Sequence, residues 1–237
     1  MRFICLCSAV VAFTFVCDEV AAQSVTYVAQ ERSVFALHRE RIDGDRYQDF
    51  ERISAPGFDD CDAWARALAV PPPPFTGSAS VSQRSSLRPD GIIASGSMHG
   101  STGDDGSYEW TTLVAATFDL TGASARYELT YAIDDIGPQP YYRHNDFVLT
   151  RISPDASPVF QFAVPHDRDG PVTSGSLWGV LAPGRYEFRY RDENLNDIGL
   201  FGDYEWSLRL TPVPEPAGIG TGAAVAAVFI LRRRPGR

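Results

Sequence analysis

Three stretches of this chain alternate apolar and polar residues with a strict period of two, and that periodicity constrains the fold more than any other feature. In "RYELTYAI", Tyr127, Leu129 and Tyr131 fall on one face, with Glu128 and Thr130 on the other. "GRYEFRYRDEN" sets Tyr186, Phe188 and Tyr190 against Glu187, Arg189 and Arg191. "DYEWSLRL" sets Tyr204, Trp206, Leu208 and Leu210 against Glu205, Ser207 and Arg209. A helix gathers one face at spacings of three and four, so these runs predict strands buried on one side. "TLVAATFDL", "DFVLTRI", "VFQFAV" and "SLWGVL" fit the same reading, with Pro and Gly punctuating the chain between runs. "Leu181-Ala182-Pro183-Gly184" predicts a type II turn, in which Pro presets φ and Gly supplies a positive one. Many short strands with such turns predict an all-β fold: a single jelly-roll-like β-sandwich domain over residues 23–212.

Residues 23–75 are less regular. "VTYVAQ", "SVFALH" and, just beyond, "GSASVSQRSSL" read as strands. In "FDDCDAWARALAV", Phe58, Cys61, Trp64, Ala65 and Leu68 recur at helical spacing, and Asp59, Asp60 and Asp62 suit a helix start. The spacing favours a short helix over 58–69; the alternative is a strand with Cys61, Ala63 and Ala65 inside. "PPPP" at 71–74 is a stiff spacer, and the lack of a long linker argues for one domain.

Both ends of the 237-residue chain read as targeting segments. Arg2, an apolar run from Phe3 to Val16 and the small residues Val20-Ala21-Ala22 form the three-part pattern of a signal peptide over residues 1–22. The cut is expected between Ala22 and Gln23. Cys5, Cys7 and Cys17 leave with that leader, so Cys61 remains alone and no internal disulfide forms. A lone Cys is read as a small buried hydrophobe, and no CxxC or His/Cys cluster supports a zinc site.

At the other end, Val213-Pro214-Glu215-Pro216 precedes an apolar span over 217–231, and Arg232-Arg233-Arg234 follow. As a helix that span rises about 22 Å, short of the roughly 30 Å bilayer core. Snorkelling arginines and local thinning let it just cross, with the arginines on the cytoplasmic side and the body outside. This ordered trio resembles the PEP-CTERM sorting signal. The resemblance covers the C-terminal segment 213–237 alone and is silent on the body's fold. It implies recognition by an exosortase, an integral-membrane processing enzyme, with cleavage near Pro214, Glu215 and Pro216. It also implies release to the cell surface or matrix, often in bacteria that make extracellular polysaccharide. The membrane then holds the protein only through this segment, before processing.

Charge narrows the partners. Residues 23–216 hold 16 Arg against 28 acids, a net −12, and the chain has no Lys. So acidic a body is ill suited to track a nucleic-acid backbone, and without Lys it performs neither Schiff-base nor P-loop chemistry. His38, His99, His144 and His166 are scattered, and no HExxH or GxSxG occurs. Ser97 lies near His99 in a Gly- and Ser-rich run that reads as a flexible loop. No catalytic residue or metal ligand is assigned, and no enzyme activity is expected.

Two features admit a binding reading. "GSYEWT" at 106–111 echoes "GDYEWS" at 202–207, either as sugar-stacking aromatics or as two strands that begin alike with aromatics in the core; the second is favoured. Asp43 to Asp49, Asp104-Asp105, Asp134-Asp135 and Asp192 to Asp197 bring carboxylates to expected turns, read first as solvated turn residues with no cofactor and second as calcium ligands, although none completes an EF-hand. The expectation is a non-catalytic structural protein of the exopolysaccharide layer. A carbohydrate-binding module, calcium-dependent or not, is the alternative.

Overall fold

The computed structural model describes residues 24–42, 45–55, 64–70, 78–101, 106–136, 142–164, 172–196 and 200–213. Among them run twelve strands and no helix. These are β1 (Ser24–Ile42), β2 (Asp45–Ser54), β3 (Trp64–Val70), β4 (Ser78–Arg88), β5 (Gly91–Ser101) and β6 (Gly106–Thr121). β7 (Ala125–Ile136), β8 (Tyr142–Ser153), β9 (Ser157–Ala163), β10 (Val172–Leu181), β11 (Gly184–Asn196) and β12 (Leu200–Pro212) follow. They form two six-stranded sheets: a first in the order β2-β1-β6-β11-β8-β9 and a second in the order β10-β7-β12-β5-β4-β3. Every pairing is antiparallel.

The period-two runs each bury one face against the facing sheet, which is what makes this a β-sandwich. β6 alternates buried and half-buried residues along almost its whole length. Phe147 on β8 anchors the aromatic part of the interior. Its ring centroid lies 4.8 Å from Tyr190 and 5.4 Å from Phe162 in its own sheet. Across the gap it lies 5.6 Å from Tyr131 and 5.9 Å, edge-on, from Trp206. Rings of this size each bury about 150–250 Å², so this cluster supplies much of the cohesion between the sheets.

Glycine makes room for several of those rings. Gly175 and Gly179 on β10 pair directly with Tyr131 and Tyr127 on β7, and Gly96 on β5 pairs with Tyr204 on β12. A Cβ on Gly179 would sit 2.6 Å from the Tyr127 ring, and one on Gly96 would sit 2.2 Å from the Ser82 carbonyl oxygen. The tyrosines fold down over bare backbone that no other residue leaves open.

Between β1 and β4 the interior changes character. Arg32, His38, Gln83, Ser85 and Thr112 are all buried there. Gln83 Nε2 donates to the Leu113 carbonyl at 3.2 Å. Backbones of β1 and β4 approach within 8 Å there.

Several expectations are corrected. Residues 64–69 of the expected helix 58–69 belong to strand β3, paired with β4. A dozen-residue helix is marginal in water, whereas pairing with a sheet edge satisfies the backbone outright. "VTYVAQ" and "SVFALH" form one strand, β1, with a bulge between Tyr27 and Ala29. The run containing Ser97 and His99 is strand β5, with Met98 fully buried, because Gly96 and Gly100 on its inner face accept the rings of Tyr204 and Tyr108. Asp134, Asp135 and Asp192 lie within strands rather than turns, and Asp192 is fully buried beside Tyr190, whose hydroxyl is 3.3 Å away. Gly184 does have a positive φ, but at 159° it is far more extended than the roughly +80° of a type II turn.

Candidate functional site

The aromatic echo resolves toward the core. Tyr108, Trp110, Tyr204 and Trp206 are all buried, and Tyr108 stacks on Trp110 at 4.6 Å. None presents a face to a sugar. The three described histidines are not brought together: His38 is buried in β1, His99 is exposed on β5, and His144 on β8 pairs with Asp146 at 2.9 Å. The Ser97 hydroxyl is 2.7 Å from that of Ser82. Among the described residues no three His, Cys, Asp or Glu side chains stand close enough to hold a metal ion. Ala22, Gln23, Cys61, His166, Pro214, Glu215, Pro216, Arg232, Arg233 and Arg234 lie outside the described residues. Val213, at the start of the sorting motif, donates its backbone N–H to the Ser124 carbonyl at 2.9 Å.

The two outer faces differ in a way that strand register explains. On the first sheet, four outward arginines find carboxylates across or along the strands. Arg39 pairs with Glu109, Arg52 with Glu31, and Arg191 with Glu193. Arg185 on β11 grips Asp119 on β6 with both ends of its fork, at 2.7 and 2.9 Å. The hydrogen bonds from Arg185, aided by its charge, hold the Asp119 carboxyl below the usual carboxylate range. Burial raises the phenols of Tyr127 and Tyr186 above theirs.

The outer face of the second sheet is organised in rows. One row crosses Trp178, Glu128, Arg209, Gly91 and Arg88 in direct register. The next crosses Ser176, Thr130, Ser207, Ile93 and Ser86, nearly all hydroxyls, with Thr130 and Ser207 bonded at 2.9 Å. A third crosses Ala132, Glu205, Ser95 and Arg84. Short side chains between long ones leave a shallow groove of about 550 Å³ running over β4, β5, β12 and β7. Arg84, Arg88 and Arg209 wall it, and Glu205 is its carboxylate. Further along the first row, on β10, Trp178 is 65% exposed, with the Arg126 guanidinium 5.2 Å from its ring centroid.

The sequence reading missed this face. Its only signal was the period-two spacing of Arg84, Ser86 and Arg88, and that of Trp178 and Val180. Neither showed which strands would lie side by side.

No family model matches the chain, and no curated protein matches it. Among solved structures it is similar to a chain in the structure of the infectious bursal disease virus Gt strain. That likeness has 10% identity, covers 91% of this chain and 73% of that one, and has a TM-score of 0.19. A superposition so loose adds nothing to the strand order above.

Proposed function

We propose that this protein is an exported, non-catalytic component of the cell surface or extracellular matrix, delivered by an exosortase-type membrane enzyme. Its body is a jelly roll: β5-β12-β7-β10 and β6-β11-β8-β9 follow the strand order of that fold, with β3 and β4 widening one sheet and β1 and β2 the other. One observation carries the delivery reading. The first strand begins at Ser24, two residues after Ala22 at the expected leader cut, and the last ends at Pro212, directly before the Val213-Pro214-Glu215-Pro216 motif. Among the described residues, the strands fill the interval between the two expected processing points. A carbohydrate-binding role for the same body is the second reading, favoured by the polar groove on the second sheet.

The test is the mass of both termini in protein recovered from its host. A start at Gln23 and an end between Pro214 and Ala217 are expected. An intact Arg237 in the membrane fraction overturns the sorting reading.

A further inference from the structure

Four outward arginines on the first sheet, Arg39, Arg52, Arg185 and Arg191, sit against carboxylates, while Arg189 on β11 makes no ion pair among the described residues. Among the described residues, Arg84, Arg88 and Arg209 on the second sheet make no ion pair, although all three are exposed and wall one groove. Three arginines and one carboxylate, Glu205, line the groove. Glu128 adjoins Arg209 in register, and Asp134 and Asp203 lie beyond the third row. Arg88 Nε donates to the Ser86 hydroxyl at 3.3 Å, but none of the three arginines meets a carboxylate among the described residues. In a chain of net charge −9, such a local excess of cation is complementary to a bound anion. Guanidinium forks match planar carboxylates in a bidentate manner.

The floor narrows the anion further. From Ser86 to Thr130, the floor crosses four strands, a span of about 14 Å at the usual strand spacing, with Ile93 between the hydroxyls of Ser86 and Ser207. Hydroxyls both donate and accept, as sugar hydroxyls do. A long polyphosphate is disfavoured, since the acidic body would repel the charge that ran beyond the groove.

We propose that this groove binds an acidic oligosaccharide, its carboxylates held by Arg84, Arg88 and Arg209 and its hydroxyls by the Ser/Thr row. The inference rests on the reading that the body works among extracellular glycans, and it supplies that reading with a site and a ligand class.

The experiment is titration calorimetry of the mature protein with galacturonic acid oligomers, and with uncharged galactose oligomers of equal length. Binding of the acidic oligomer is expected, with the neutral one at least about tenfold weaker. Arg84→Gln and Arg209→Gln should each weaken it about tenfold, the loss of one charge-assisted fork. Arg189→Gln, an exposed arginine on the first sheet, should leave it unchanged, and circular dichroism of all three variants should match the parent. Absence of binding, equal binding of the neutral oligomer, an equal loss in Arg189→Gln, or equal binding of a single-stranded oligonucleotide would each overturn the proposal. The masses of the termini are untouched by any of these outcomes, so failure here is distinguishable from failure of the sorting reading.

Discussion

Both oxygens of the Asp119 carboxylate accept hydrogen bonds from Arg185, one from Nε at 2.7 Å and the other from Nη2 at 2.9 Å. The pair bridges β6 and β11 on the outer face of the first sheet. Because the folded state depresses the Asp119 pKa, its contribution is present above the unfolded carboxylate value and disappears as pH falls through the folded one. Asp119→Asn should therefore lower the melting temperature slightly at neutral pH, and by nothing once pH is below the folded pKa. Thermal melts of parent and variant across the acid range check this; a difference that persists undiminished in strong acid would contradict it.

Gly179 and Tyr127 make a second test. A methyl at Gly179 would meet the Tyr127 ring at 2.6 Å, so Gly179→Ala should destabilise the fold by about 1–3 kcal/mol through overpacking. Combining it with Tyr127→Val should cost less than the sum of the two single changes, since the ring that clashes is gone. Urea denaturation of the four proteins measures the coupling.

Two large aromatic residues should behave in opposite ways. Phe147→Ala empties the centre of the ring cluster and should cost about 3–5 kcal/mol. Trp178→Ala removes a side chain that is mostly in solvent and should stay within about 0.5 kcal/mol of the parent. The same denaturation series reads both.

The Tyr27 hydroxyl lies 2.9 Å from the Arg88 carbonyl and 2.8 Å from that of Gly91, with one proton to offer the pair. It ties β1 to the turn between β4 and β5, across the two sheets. Tyr27→Phe should cost about 0.5–1.5 kcal/mol, and should speed amide exchange at Gly91 and Ile92 relative to the β6 core.

How much of this was legible in the sequence depended on which residues faced inward. β7, β11 and β12 announce themselves because Tyr, Phe, Trp and Leu fill their inner faces. β4 and β5 do not. Their inner faces carry Gln83, Ser85, Gly96 and Gly100, residues with little hydrophobic signal, although Gly96 and Gly100 lie under the rings of Tyr204 and Tyr108. A glycine chosen to receive a neighbour's ring looks, in isolation, like a loop residue. The groove was hidden for a different reason: Arg84 and Arg209 are far apart in the chain, and only the β4-β5-β12 order puts them on one face. Acidic runs usually mark turns, whereas Asp192 points into the sandwich beside Tyr190 and Asn145.

The placement of β12 has a mechanical consequence. It lies between β5 and β7, hydrogen-bonded along both sides, and its last residue opens into the segment that the sorting reading attaches to the membrane. Under the sorting reading, a pull on the tail would load both antiparallel ladders together, instead of peeling an edge one bond at a time. The strand that would take that strain also carries Arg209 and Ser207 of the groove.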